Sequence, residues 1–133
     1  MSETAPSLDT GRNVLVVEDE PHVCELLADL LRDAGYEPVC VQHDEPAFAA
    51  LHQGVAFACM IVDVNLGVGT TGYDVARFAR RLSPALPIIY VSGQTSPESF
   101  RANSVPGSLF LPKPFTAAEL MDRVRILIGD NDD

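Results

Sequence analysis

The chain alternates short continuous apolar runs with longer stretches whose apolar residues recur every three to four positions. Four of the runs each end in polar residues: Val14-Leu15-Val16-Val17 before Glu18-Asp19, Met60-Ile61-Val62 before Asp63, Ile88-Ile89-Tyr90-Val91 before Ser92-Gly93, and Leu109-Phe110-Leu111-Pro112 before Lys113-Pro114. A strand buried on both faces reads as such a run, which is the pattern of a parallel sheet covered by helices. A shorter stretch, Glu37 to Val41, predicts a second strand, and the third strand is expected over Val55 to Val62.

The intervening stretches read as helices. Pro21 opens the first at a position where its missing N–H costs nothing. Val23, Leu26, Leu27, Leu30, Leu31 and Ala34 follow at helical spacing and are expected to form the inward face, with Gly35 ending the helix in a left-handed cap. Asp44 is expected to cap a second helix running to about Gln53, with Ala47, Phe48 and Leu51 inward. A glycine-rich loop, Asn65 to Thr71, leads to a third helix over about Tyr73 to Leu82, in which Tyr73 and Asp74 serve packing and capping. A short fourth helix is expected within Thr95 to Val105, and Pro106-Gly107 turns into the fifth strand. Thr116-Ala117-Ala118-Glu119 is a capping-box pattern starting the last helix, with Leu120, Val124, Leu127 and Ile128 inside. Alternating strands and helices imply right-handed βαβ units. The fold class is therefore α/β, with βα units around a parallel sheet.

Composition narrows the picture further. The 133 residues fit one domain, read as 13–128, with a polar tail over 1–12 and an acidic one over 129–133. Nine basic against nineteen acidic residues leave a formal charge of −10, unsuited to direct nucleic-acid binding. Arg77, Arg80 and Arg81 form the one basic cluster. The N-terminal residues lack the apolar core of a signal peptide, and no stretch approaches the roughly twenty apolar residues of a spanning helix. A cytoplasmic protein without membrane insertion is expected. Cys24, Cys40 and Cys59 lie in or beside apolar segments without metal-ligand spacing, and read as buried thiols in a reducing compartment. His22, His43 and His52 lie on separate segments and read as ordinary surface residues.

The polar strand ends carry the chemistry. Ligands of open α/β sheets bind beyond the carboxyl ends of the strands. Glu18, Asp19 and Asp63 would therefore crowd together, and clustered carboxylates repel one another unless a cation sits among them. An all-oxygen set suits a hard ion such as Mg²⁺ or Mn²⁺. Asp19 and Asp63 are expected to bind it directly, Glu18 through water, and the backbone carbonyl of Asn65 to complete the set. Asp63 would attack phosphorus, Lys113 would place a compact charge on a phosphoryl oxygen, Ser92 would donate a hydrogen bond to another, and Gly93 would keep the approach open. Each residue alone has an ordinary reading, as a cap, a turn or a solvated charge. All of them falling at successive strand ends is what favours chemistry.

In order and over Asn13 to Ile128, these residues resemble a response-regulator receiver domain. The pieces are VLVVEDE (Val14 to Glu20), MIVDVNL (Met60 to Leu66), VSG (Val91 to Gly93) and LPKPF (Leu111 to Phe115). The chain resembles the stand-alone, CheY-like receivers that carry no output domain, which implies a doubly wound (βα)5 flavodoxin-like sandwich with five parallel strands in the order 2-1-3-4-5. The resemblance implies that Asp63 accepts a phosphoryl group from a phosphohistidine on a sensor histidine kinase or a histidine phosphotransfer protein. It implies Mg²⁺ on Glu18, Asp19 and the Asn65 carbonyl, a switch hydroxyl at Ser92, the family's lysine at Lys113, and a cis Lys113-Pro114 bond. It also implies a phosphoacceptor that is no turnover enzyme beyond its own phosphorylation and dephosphorylation. The sequence departs from the family at Ser92, where threonine is frequent, at Gly67, where proline is usual, and in a stretch from Asp63 to Gly72 that is one residue longer than common. The two loop changes are expected to loosen that segment.

Phosphorylation is expected to draw Ser92 and the loop from Gly93 to Ser96 toward the new oxygens. In the family this accompanies the turning of an aromatic on the fifth strand, the position of Phe110, which has a core-packing reading as well. The output face would comprise the fourth helix, fifth strand and fifth helix, binding a downstream target protein or relaying phosphate, as a monomer or weak homodimer. Asn65 and Gln94 are expected to flank the phosphoryl group and tune its lifetime. The main alternative is a module that keeps the fold and binds partners without phosphorylation. A flavodoxin-like cofactor binder would need a phosphate loop where Glu18-Asp19-Glu20 stands. A haloacid-dehalogenase-type phosphatase would need a second Asp where Asn65 stands.

Overall fold

The computed structural model describes residues 12–67 and 70–129. Five strands and five helices alternate: β1 (Asn13–Val17), α1 (Pro21–Asp33), β2 (Glu37–Val41), α2 (Asp44–His52), β3 (Phe57–Asp63), α3 (Gly72–Leu82), β4 (Ile88–Ser92), α4 (Pro97–Asn103), β5 (Leu109–Pro112) and α5 (Ala117–Ile128). All strand pairs are parallel, in the order β2-β1-β3-β4-β5. This is the expected α/β architecture, with a strand order that reverses at β1 and so opens a crevice beside it.

Alternation along each strand sends side chains to two cores. Leu15, Val17, Met60, Val62, Ile88 and Tyr90 pack with residues of α2 and α3 on one face. Val14, Val16, Cys59, Ile61, Ile89, Val91 and Leu111 pack with α1 and α5 on the other. β1 and β4 are buried throughout, which is why they read as unbroken apolar runs.

The helix ends follow their local chemistry. After α1, Tyr36 N–H donates to the Leu31 carbonyl and Gly35 N–H to that of Arg32, each at 2.9 Å, with Gly35 at φ +93°. This paired closure needs a left-handed residue, which glycine supplies without strain. Thr71 with Asp74 and Thr116 with Glu119 form reciprocal capping boxes. Leu120 and Val124 are buried on α5, with Leu127 and Ile128 half-buried beside them.

Several expectations are corrected. The buried residues of α1 are Cys24, Leu27, Ala28 and Leu31, while Leu26 is 50% exposed and Ala34 is exposed. The buried stripe thus takes in Cys24 and Ala28 and leaves out Leu26 and Ala34. Asp44 is the first residue of α2 and not its cap; its carboxylate accepts the Glu45 N–H at 2.8 Å. Cys24 and Cys40 are not two buried thiols: they form a disulfide between α1 and β2, with Cα atoms 6.2 Å apart, and Cys40 is exposed. Cys59 is the buried free thiol among the described residues, and burial pushes its pKa up to about 12. Arg12, assigned to the tail, belongs with the fold: its guanidinium donates to the Gly35 carbonyl at 2.7 Å and lies over the Tyr36 ring. The remaining tail positions, 1–11 and 130–133, and two residues of the lengthened loop, Val68 and Gly69, lie outside the described residues. No helix among the described residues is long and apolar enough to cross a membrane.

Candidate phosphoryl-transfer site

The sheet register determines which strand ends meet. Val17 pairs with Val62, Asp63 with Val91, and Ser92 with Pro112. Glu18, Asp63, Ser92 and Lys113 therefore emerge on neighbouring strands at one edge. Glu18 N–H donates to the Val41 carbonyl at 3.0 Å, and Lys113 N–H to the Ser92 carbonyl at 2.9 Å, extending the ladders one step beyond the strands. Lys113-Pro114 is cis.

Three of these side chains are buried although polar: Glu18 is 0% exposed, Asp63 4% and Ser92 3%. Asp19 is exposed at the rim. Carboxylate oxygens of Glu18, Asp19 and Asp63 lie within 4.8 Å of one another. Lys113 Nζ sits 3.1 Å from Asp63 Oδ2, to which it donates, and 3.1 Å from Glu18 Oε1. The second contact is an ion pair without an aligned donor, so Glu18 Oε1 is a buried oxygen lacking a hydrogen-bond partner. Burial, and after it the neighbouring Asp63, push the Glu18 carboxyl up to about 7. For Lys113, burial works against the charge, but the hydrogen bond to Asp63 and the negative charge of both Asp63 and Glu18 outweigh it and hold its pKa above the ordinary ammonium value. One ammonium thus faces two buried carboxylates, and negative charge is in excess. An orphaned buried carboxylate oxygen, an all-oxygen donor set and uncompensated charge together fit a hard divalent cation.

A cavity of about 260 Å³ opens over this cluster, lined by Asp19, Glu20, Asp63, Asn65, Ser92, Gly93, Gln94 and Lys113. Asp63 Oδ1 accepts the Asn65 N–H at 3.0 Å, and Ser92 Oγ accepts the Gln94 N–H at 3.1 Å. Two backbone turns thus hold the acid and the hydroxyl at the cavity. Phe110 stands apart from the cavity: it is half-buried, with its ring 5.5 Å from that of Phe100 on α4. Gly93 lines the cavity, but a Cβ there would meet Lys113 Cβ at 3.8 Å, an ordinary contact, so space does not require glycine at this position.

Two supporting residues escaped the sequence reading. Gly72 donates its N–H to the Val64 carbonyl at 2.8 Å, and a Cβ on it would collide with the carbonyl of Asp63. The loop therefore closes back onto the end of β3 only through a residue without a side chain. Tyr90 is the other. Its buried hydroxyl accepts the Val105 N–H at 3.1 Å, tying β4 two residues before Ser92 to the chain leaving α4. The Thr-Gly start of α3 and a tyrosine within the apolar run of the fourth strand were the available signals, and neither reveals its tertiary partner.

Comparison with known proteins bears on the same residues. The family model of the response regulator receiver domain matches residues 14–125. The sensory transduction protein RegX3 of Mycobacterium tuberculosis is 32% identical over 124 residues, 90% of this chain and 53% of that protein. The chain spans about half the length of the curated relatives it matches. Among solved structures, the response regulator receiver protein from Sinorhizobium medicae WSM419 is 33% identical, with a TM-score of 0.83, over 88% of this chain and 94% of that one. The receiver domain of sensor histidine kinase PA1611 from Pseudomonas aeruginosa PAO1, which has a magnesium ion coordinated in its active site cleft, is 26% identical, with a TM-score of 0.76, over 91% of this chain and all of that one. With its strand order, its buried acid pair and the matched segment in agreement, the chain belongs to the response regulator receiver domain family of two-component signalling.

Proposed function

We propose that Asp63 is the phosphoacceptor of this receiver and that it takes a phosphoryl group from a phosphohistidine. The observation that carries the reading is the placement of Lys113 Nζ 3.1 Å from Asp63 Oδ2, beside Glu18 and beneath an open cavity. A carboxylate held in that way is a nucleophile with its counter-charge already in position. Asp63 attacks phosphorus, the bond to the histidine nitrogen breaks, and that nitrogen keeps the electron pair. Lys113 follows the charge onto a phosphoryl oxygen, and the Ser92 hydroxyl donates to another. Glu18, Asp19, Asp63 and the Asn65 carbonyl would hold Mg²⁺ or Mn²⁺. When bound, such an ion offsets the charge gathered between the carboxylates and the transferring group.

The donor would be a sensor histidine kinase or a histidine phosphotransfer protein. The output would be a downstream target recognised on the face of α4, β5 and α5, or a relay of the phosphate. Ser92 links the two events, because β4 carries both its hydroxyl and the Tyr90 hydroxyl that holds the end of α4. Asn65 and Gln94 both line the cavity and would influence hydrolysis of the phosphorylated state.

The test is incubation with acetyl phosphate and Mg²⁺, followed by intact mass. One phosphoryl adduct per chain is expected, with none in Asp63→Ala and none when the metal is chelated. An adduct that persists in Asp63→Ala would move the acceptor elsewhere.

A further inference from the structure

The Cys24–Cys40 pair lies outside the phosphoacceptor chemistry but brackets its acidic segment. Cys24 is in the first turns of α1, and its N–H donates to the Glu20 carbonyl at 3.0 Å. Cys40 precedes Val41, whose carbonyl accepts the Glu18 N–H at 3.0 Å. Glu18, Asp19 and Glu20 are thus enclosed in a ring closed on one side by a hydrogen bond and on the other by the bond between the two sulfurs. The two cysteines are carried by elements with their own support: β2 is paired along its length with β1, and α1 packs on that sheet through Leu27 and Leu31. Their Cα atoms, 6.2 Å apart, are therefore kept near each other by the fold whether or not the sulfurs are joined.

The two cysteines differ in exposure. Both line a cavity of about 420 Å³ together with Glu25, Arg32 and Gln42, where Cys40 is exposed and Cys24 is 2% exposed. Cys59 is completely buried within the sheet. A thiol reagent can reach the pair through Cys40 and cannot reach Cys59.

We propose that Cys24 and Cys40 are a reversible thiol-oxidation site whose state sets the rigidity of the Glu18–Glu20 segment and, through it, the metal affinity of the acidic pocket. The oxidant is a low-molecular-weight disulfide. The Cys40 thiolate attacks one of its sulfurs, forming a mixed disulfide and releasing one thiol. The Cys24 thiolate then attacks the Cys40 sulfur and expels the second. Two cysteines are oxidised by two electrons, one small disulfide is reduced to two thiols, and the cysteine protons leave on those thiols. Excess small thiol drives the reverse. The thiol chemistry stands independently of the phosphoacceptor reading; the consequence for metal affinity rests on it.

The experiment equilibrates the intact chain in glutathione buffers of graded ratio, quenches with acid and counts free thiols after unfolding. The reduced chain should show three thiols and the oxidised chain one, at Cys59, with a mass lower by two hydrogens. Amide hydrogen exchange over Glu18 to Cys24 should be slower in the oxidised chain. In Cys40→Ser it should be the same at every glutathione ratio and match that of the reduced chain. Mg²⁺, titrated against the thermal midpoint, should act at lower concentration on the oxidised chain. A thiol count that never changes with the ratio would overturn the proposal. So would a clean two-thiol transition that leaves exchange over Glu18 to Cys24 unaltered. Loss of the acetyl phosphate adduct would count against Asp63 alone, because the thiol count does not depend on it.

Discussion

Glu18 is wholly buried, carries an orphaned oxygen and shares one ammonium with Asp63. Its carboxyl titrates near 7 in the folded chain against an ordinary 4.5. Between those values the folded chain holds a proton that the unfolded chain has released. Stability must then fall as pH rises from about 4.5 to about 7, and the loss is complete above the higher value. Glu18→Gln removes the titration while keeping the shape. Metal-free wild type should lose stability relative to Glu18→Gln by on the order of 2 kcal/mol between about pH 5 and about pH 8, read as denaturant midpoints; parallel profiles would show that the strain is absent. Gly72 and Gly93 make a second comparison at this scale. Gly72→Ala drives a Cβ into the Asp63 carbonyl and should cost about 1–3 kcal/mol. Gly93→Ala meets Lys113 Cβ at an ordinary 3.8 Å and should leave stability within about 0.5 kcal/mol. Equal losses in the two would mean that the loop relaxes away from Asp63. Nothing in the local sequence separates these two glycines. The difference arises only when the loop after Asp63 folds back, and close approach between segments nine residues apart has no periodic signature.

Elements differ in how firmly they are held. α4 has no buried residue, yet its exit is pinned by one buried hydroxyl, Tyr90, whose ring stacks edge-on with Phe100 at 5.7 Å. Tyr90→Phe leaves the Val105 N–H buried without an acceptor, a loss of about 1–3 kcal/mol. Amides of α4 should exchange faster in this variant while those of α5, anchored by Leu120 and Val124, are unchanged. Acceleration shared equally by both helices would mean that the tie is not local. The strands were the most legible elements, because burial on both faces turns β1, β3 and β4 into uninterrupted apolar runs, and the Thr116–Glu119 capping box was legible because it acts within four residues. The face of α1 was less legible. Leu26 satisfies helical spacing as well as Leu27 does, and only the position of the sheet decides that Cys24 and Ala28 go inward. The disulfide was illegible for the same reason: β1–β2 pairing and the tilt of α1 bring Cys24 and Cys40 together across sixteen positions of sequence. The site itself was legible because each of its residues ends a strand or directly follows one, so the order of apolar runs located Glu18, Asp63, Ser92 and Lys113 at once.

At the scale of the whole molecule the acidic cluster sits in a chain of formal charge −10. Two effects of a divalent salt then have to be separated. Any electrolyte reduces the repulsion spread over the surface, and this part depends on ionic strength and not on the identity of the ion. A cation held by Glu18, Asp19 and Asp63 stabilises by mass action instead, adding about 1.4 kcal/mol for each tenfold rise in concentration beyond its dissociation constant. Asp19 is the ligand best suited to divide them, since it is exposed at the rim and its loss leaves the buried packing intact. Sodium chloride at matched ionic strength should raise the thermal midpoint of wild type and Asp19→Asn by the same small amount. Mg²⁺ should raise wild type further, in proportion to the logarithm of its concentration, and Asp19→Asn should follow only at concentrations about tenfold higher or more. If Mg²⁺ and sodium chloride traced one curve at equal ionic strength, the carboxylates at the sheet edge would be responding to the field of the whole chain and not to a bound ion.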